Sequence, residues 1–238
     1  MEVDRKAPCP CGSGKRYKSC CYARHRGLDE ARRAARAGHQ VVDGVLRVFL
    51  PLVESRGEHK IACGPGCSAC CNNFVRASAA EALLVADWLD QPEQAAIRAR
   101  FVAKLPAWRE RAGDEARAVE ALLAAHAGTP PDGPAYEDYK RAARDYARKA
   151  NPCPLNEAGR CEIYPVRPTI CRAVHVVDTA DFCTPDRGGE PALVSSPQLE
   201  EAVRVATAAC AHAGLSLAAG ARERALPEAV AWALDARR

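Results

Sequence analysis

Aromatic residues and methionine are scarce in this sequence: Phe, Trp and Tyr make up 5% of 238 residues, and there is a single Met. Apolar residues still reach 48%, so the core must consist mostly of Ala, Leu and Val, which favours helices packed closely on small side chains. Apolar residues recur at spacings of three and four, without alternation of strands and helices. The sequence therefore predicts a mainly α fold.

Long hydrophobic runs are also missing. No window approaches the ~20 uncharged apolar residues of a membrane-spanning helix. The charged residues Asp4, Arg5 and Lys6 are not followed by the apolar segment of a signal peptide. We therefore expect a cytoplasmic protein without a transmembrane segment.

The length suggests one or two domains. We expect a small knuckle at 1–25, a helical connector at 26–60 that packs on the body, a cysteine-cluster domain at 61–190, and C-terminal helices of the same body at 191–238. Residues 1–36 hold ten Lys or Arg against four Asp or Glu, whereas the rest is nearly neutral. This distribution predicts an anionic partner for the N-terminal region alone.

Local signals place several helix ends. Ser78 with Glu81 three residues later is typical of a capping box, and Ser196 followed by Pro197 indicates another helix start. Pro51 falls inside a helical pattern, so we expect the helix to end or kink there. Composition predicts a loop at 128–134.

Cysteine is abundant, with 13 residues, of which 12 fall into three groups of four. Because no signal peptide is indicated, these groups predict metal sites rather than disulfides. The first group has the spacing C-x-C-x8-C-C, which suits a tetrahedral Zn²⁺ site, and comprises Cys9, Cys11, Cys20 and Cys21. A segment this short cannot bury a core, so metal binding must supply its folding energy.

The stretch Pro8–Cys21 resembles the SEC-C motif, the zinc-binding tail first recognised in the SecA translocation ATPase. The resemblance implies that these four cysteines hold zinc in a recognition module rather than a catalyst. Lys15, Arg16 and Lys18 then form either a solvated basic face or a contact with a ribosome, RNA or protein partner.

The second and third cysteine groups differ in compactness. The second has the spacing C-x3-C-x2-C-C and comprises Cys63, Cys67, Cys70 and Cys71. The third is spread more widely and comprises Cys153, Cys161, Cys171 and Cys183. Since the third group is too widely spaced to form a site alone, we expect it to fold onto the second and form one shared assembly.

This combination resembles the YkgJ family of zinc- or iron-chelating cysteine-cluster proteins. The resemblance rests on the C-x3-C-x2-C-C run and on the block from Cys153 to Arg172, and it covers roughly 60–190. It implies metal chelation. Because tetrahedral sulfur sites suit both metals, the central cofactor is expected to be Zn²⁺ or iron, including an Fe–S cluster.

Several polar residues flank the central cysteines. Arg160, Arg167 and Arg172 are expected to offset thiolate charge through hydrogen bonds. His175 follows Cys171 by four residues and is a candidate extra ligand. His59 precedes Cys63 by four residues and is a candidate ligand in the same way. The remaining histidines have no such neighbours in the sequence: His25, His39, His126 and His212.

Three functions remain open at this stage. The first is a metal-binding protein with a recognition knuckle. The second is an Fe–S-dependent enzyme that modifies protein or RNA in a methyltransferase-like reaction, since flagellin lysine N-methylases share this type of cysteine cluster. The third is metal delivery or storage. Catalytic residues are not indicated by any motif.

Overall fold

The computed structural model describes residues 3–64, 66–125, 133–149, 152–183, 191–215, 217 and 223–236. The predicted loop at 128–134 falls mostly outside these residues, and so do 184–190 at the end of the predicted cysteine-cluster domain. The division into four regions stays a prediction.

The described residues are mainly helical, which confirms the predicted fold class. The helices are α1 (Tyr22–Ser55), α2 (Ala79–Leu89), α3 (Ala95–Ala125), α4 (Gly133–Arg148), α5 (Thr169–Ala173), α6 (Pro197–Gly214) and α7 (Leu226–Ala236). Four two-residue strands complete the fold: β1 (Arg76–Ala77), β2 (Asn156–Glu157), β3 (Arg160–Cys161) and β4 (Arg224–Ala225). They form two antiparallel pairs, β1 with β4 and β2 with β3.

The long helix α1 packs against α2, α5 and α6. Its buried face carries small and aliphatic side chains at spacings of three and four, including Ala31, Ala35 and Val42. At Gly38 a Cβ atom would lie 3.0 Å from the Cβ atom of Ala206. The backbones of α1 and α6 therefore approach each other so closely at this point that a larger residue than glycine would not fit without a shift.

Pro51 does not end α1, because the helix continues to Ser55. The prediction of an end at this point was wrong. The proline ring removes one N–H donor only four residues before the helix ends, and Pro51 itself is exposed. A single lost hydrogen bond at the rim is tolerated when the rest of the helix is packed.

Helix α2 lies at the centre of the core. Most of its residues are buried, and it contacts α1, α6 and α7. The predicted capping box is confirmed, since the Ser78 hydroxyl accepts from Glu81 N and Glu81 accepts from Ser78 N. The predicted start of α6 is also confirmed, because Leu199 N donates to Ser196 Oγ at 3.1 Å.

None of the described helices combines the length and the apolar composition that crossing a membrane requires.

Candidate metal centres

The four N-terminal cysteines converge on one point. All four Sγ atoms lie within 4.8 Å of one another. Cys11 Sγ is 3.3 Å from Cys9 Sγ and 3.5 Å from Cys20 Sγ, and Cys20 Sγ is 3.8 Å from Cys21 Sγ. Zn–S bonds of about 2.3 Å place the sulfurs of a tetrahedral site about 3.8 Å apart. The set therefore fits a single zinc ion, and it is called the knuckle below.

A tight turn brings the first cysteine pair to the second. Gly12 and Gly14 have φ angles of 75° and 71°, which glycine adopts without strain. Cys9 N donates to Lys15 O at 2.8 Å, and Gly12 N donates to Cys9 O at 3.1 Å. These backbone hydrogen bonds close the turn and bring the first cysteine pair toward the second.

Two knuckle thiols differ in acidity. The pKa of Cys11 is lowered to about 6, first by a hydrogen bond from the Ser13 side chain and then by one from Cys9. The pKa of Cys21 is raised to about 12, mainly by hydrogen bonding with the thiols of Cys9, Cys11 and Cys20. Of these two thiols, Cys11 is therefore the one that ionises at the lower pH and so offers a metal an anionic ligand more readily.

An aromatic cluster joins the knuckle to α1, which begins one residue after Cys21. The Tyr17 hydroxyl lies 2.8 Å from His25 Nδ1, and the Tyr17 ring meets Tyr22 edge-on at 5.7 Å. The Arg5 guanidinium lies 4.4 Å from the centre of the Tyr22 ring. Sequence reasoning gave His25 no neighbours. The only available signal was its position three residues into the helix that follows a cysteine pair.

The central cysteines surround a small cavity of about 70 Å³, called the cysteine chamber. Seven thiol-bearing residues line it: Cys63, Cys67, Cys70, Cys71, Cys153, Cys161 and Cys171. Cys183 does not line the cavity, but burial first and then the neighbouring thiols of Cys63 and Cys67 raise its pKa. The second and third groups thus lie together in space, although their members are up to 120 residues apart.

Short irregular segments position these thiols. Val176 N donates to Cys63 Sγ at 3.3 Å, so the strand-like segment near Val176 fixes the first thiol. Asn156 Nδ2 donates to Cys71 Sγ at 3.3 Å, and Cys153 N donates to Cys71 O at 2.9 Å. Sequence reasoning missed Asn156, whose signal was a glycine three residues later: the Asn156 side chain accepts from Gly159 N at 3.2 Å and closes a turn.

The chamber thiols are spread more widely than those of the knuckle. Among the residues that the structure describes, the knuckle is the one set of three or more Cys, His or carboxylate ligand atoms within 4.8 Å of one another. No three chamber thiols therefore have the spacing of one tetrahedral zinc ion.

Burial makes the chamber thiols hard to ionise. It raises the pKa of Cys153 to about 12 and raises that of Cys171 well above the usual value. The pKa of Cys70 is raised as well, first by hydrogen bonding with Cys71 and then by burial. Several thiolates in such a cavity need compensating positive charge, which bound metal ions would supply.

The three flanking arginines have different surroundings. Arg167 lines the chamber, donates from Nε to Cys171 O at 3.1 Å, and stacks 3.6 Å above the Tyr164 ring. Arg172 donates to Asp43 Oδ2 at 2.8 Å and to Arg167 O at 2.9 Å. Arg160 is exposed on β3. Of the three, Arg167 is the one that interacts electrostatically with the thiols. Its charge lowers the pKa of Cys63, Cys70 and Cys161, although burial and neighbouring thiols raise these pKa values by more.

His175 also lines the chamber and is buried. Burial lowers its pKa, which favours the neutral imidazole that binds metals. His59 instead lies 2.7 Å from Asp178 Oδ2 and does not line the chamber.

The fold and the knuckle together define a mainly α protein with a four-cysteine site suited to zinc. The family model of the SEC-C motif matches residues 5–23, the segment that contains all four knuckle cysteines. No curated protein and no solved structure matches the chain.

Proposed function

We propose that this is a metal-binding protein with two centres, a zinc ion in the knuckle and a polynuclear centre in the cysteine chamber. The observation that carries the second centre is the convergence of two distant cysteine groups on one cavity. Apolar side chains would fill such a half-buried space at least as well as seven thiols, so core packing alone does not account for the cluster. The resemblance to the YkgJ family supports the same chemistry, chelation of zinc or iron.

The number and spacing of the thiols favour more than one metal ion. Four thiolates saturate one tetrahedral Zn²⁺, whereas seven line the chamber and Cys183 lies beside it. In a polynuclear centre the terminal thiolates bind different metal ions and lie farther apart than around a single ion. The wide spacing of the chamber thiols fits such an arrangement.

The chain supplies a distinct environment for this centre. Val176 N and Asn156 Nδ2 donate to sulfur atoms, and Arg167 contributes positive charge. Apolar residues close the rest of the cavity, among them Val75, Leu155, Ile163 and Leu226. Hydrogen bonds to sulfur and exclusion of water are the means by which a protein tunes a thiolate-bound metal.

Metal content and absorption test this proposal. We expect full-length protein purified without oxygen to bind more metal than one knuckle ion, and Cys67→Ser to lose the excess. Cys210→Ser is the matched control, because Cys210 is buried on α6 outside both centres. Thiolate-to-iron charge-transfer bands would identify an iron centre, whereas a zinc centre is colourless. A wild-type protein with one zinc ion, lost in Cys9→Ser, would contradict the second centre.

We further propose that the knuckle recognises RNA. Lys15, Arg16 and Lys18 are exposed on or beside the knuckle turn. Replacing all three with Gln should weaken RNA binding and reduce its salt dependence, because each phosphate contact releases counterions. Zinc content should stay unchanged. RNA binding that is equal in the variant and the wild type would exclude this surface, and salt-sensitive binding to an acidic protein instead would reassign the partner.

A further inference from the structure

The buried carboxylate of Glu81 links two helix starts. Its Oε2 accepts from Ser78 N at 3.0 Å and from Ser78 Oγ at 2.8 Å, which caps α2. Its Oε1 accepts from Thr169 N at 2.7 Å, the first residue of α5. His39 Nε2, from α1, lies 3.7 Å from Oε1. A capping box requires only the contacts between Glu81 and Ser78, so the hydrogen bond from Thr169 N is not needed to cap α2.

These contacts keep Glu81 ionised inside the protein. Burial raises the pKa of the carboxyl, but the nearby His39 imidazole and the hydrogen bonds from Thr169 and Ser78 outweigh it and hold the pKa at about 2. An ionised carboxylate with partners on three helices fixes their relative positions strongly, since losing one partner leaves buried charge uncompensated.

Both helix starts adjoin thiol-bearing segments of the chamber. Thr169 precedes Cys171 by two residues on α5, a helix of only five residues. Ser78 lies seven residues after Cys71, at the end of the segment that leaves the chamber through β1. Glu81 therefore connects the segment of the Cys70–Cys71 pair to the segment of Cys171.

We propose that Glu81 is a positioning residue for the chamber: its Oε1 bond to Thr169 N sets where Cys171 lies relative to Cys70 and Cys71. This inference rests on the proposed metal centre. Arg172 ties the same helix to α1 through Asp43, so α5 is anchored both before and after Cys171 in the sequence.

Three variants separate positioning from capping. Glu81→Gln keeps the shape of the side chain but has one acceptor oxygen, so it cannot accept from both Ser78 N and Thr169 N. Thr169→Pro removes the N–H that donates to Oε1, together with the Thr side chain, at a first helical position where proline is tolerated. Ser78→Ala weakens the α2 cap and leaves the Thr169 bond, so it is the matched control.

The test is site-resolved alkylation of full-length protein reconstituted with Co²⁺ without oxygen, combined with cobalt absorption. We expect Cys171 to react about tenfold faster in Glu81→Gln and Thr169→Pro than in the wild type. Tenfold is the lower end of the loss in metal affinity that follows when a residue that orients a metal ligand is replaced. Cys63 and Cys67 should change less, the thiolate-to-cobalt bands should shift, and Ser78→Ala should match the wild type.

Other outcomes overturn the inference in distinguishable ways. Wild-type rates at Cys171 in both variants would show that Glu81 does not position it. An equal rise in the alkylation rate of every chamber cysteine would show that Glu81 only stabilises the fold in general. Wild-type chamber thiols that react equally fast with and without Co²⁺ would overturn the metal centre itself, and this inference with it.

Discussion

The four thiols of the knuckle come from 13 consecutive residues, whereas the chamber draws its seven from residues 63 to 171. The knuckle thiols already have zinc spacing and are partly exposed, and the turn that carries them buries little. The chamber thiols are wider apart and enclosed by a helical core. We therefore expect the knuckle to depend on metal for its fold, whereas metal bound in the proposed chamber centre would add to an existing core.

The strongest test of this difference is Cys171→Ser. If the distant cysteine groups share metal, this change should also make the Cys67 and Cys70 thiols react with an alkylating reagent. It should also lower the free energy of unfolding by several kcal/mol, because losing one ligand removes part of the metal's binding free energy. Full protection of all four second-group cysteines in this variant would show two separate sites.

The core should respond to cavities without affecting the knuckle. Leu83 on α2 is fully buried, with no exposed area. Leu83→Ala should lower the free energy of unfolding by about 2–5 kcal/mol in urea denaturation. Leu215→Ala, at a side chain 82% exposed, should change it by less than about 0.5 kcal/mol. Zinc content of the knuckle should be the same in both, and loss of zinc in Leu83→Ala would couple the two regions.

Acid should reveal the buried charge of the body. The pKa of Glu81 is lowered to about 2 from an ordinary 4.5, so its ionised form stabilises the fold above pH 4.5. That contribution, about 3 kcal/mol for this difference, is lost as pH falls toward 2. The stability difference between wild type and Glu81→Gln should therefore shrink over this range. A difference that stays constant with pH would mean that Glu81 is not held ionised.

The smallest effect on the body should come from Cys9→Ser. Removing this ligand should release one zinc ion and loosen the knuckle. The thermal unfolding of the helical body should shift by no more than a degree or two, because about 0.5 kcal/mol moves the midpoint that little in a protein of this size. A shift as large as that of Cys67→Ser would show that the knuckle and the body unfold together.

Short-range features of this protein were predictable from sequence. The knuckle spacing, the Ser78–Glu81 box and the Ser196 cap each depend on residues within a few positions of one another. The approach of the second and third cysteine groups was also expected, because the third group is too widely spaced to form a site alone. The individual side-chain partners of distant residues were not predictable. Arg172 was expected beside sulfur, but its donors go to Asp43 and to backbone carbonyls. The Glu81–Thr169 bond spans 88 residues. No local pattern encodes such partners, because tertiary packing selects them.

The continuity of α1 sets a distance between the two centres. The helix has 34 residues and starts directly after Cys21. Asp43, which holds the α5 segment through Arg172, lies 22 residues farther on. At about 1.5 Å per residue, this part of the helix is roughly 33 Å long. A partner bound at the knuckle would therefore be held at a fixed distance from the chamber, and paramagnetic ions placed in both proposed centres should give one narrow distance distribution.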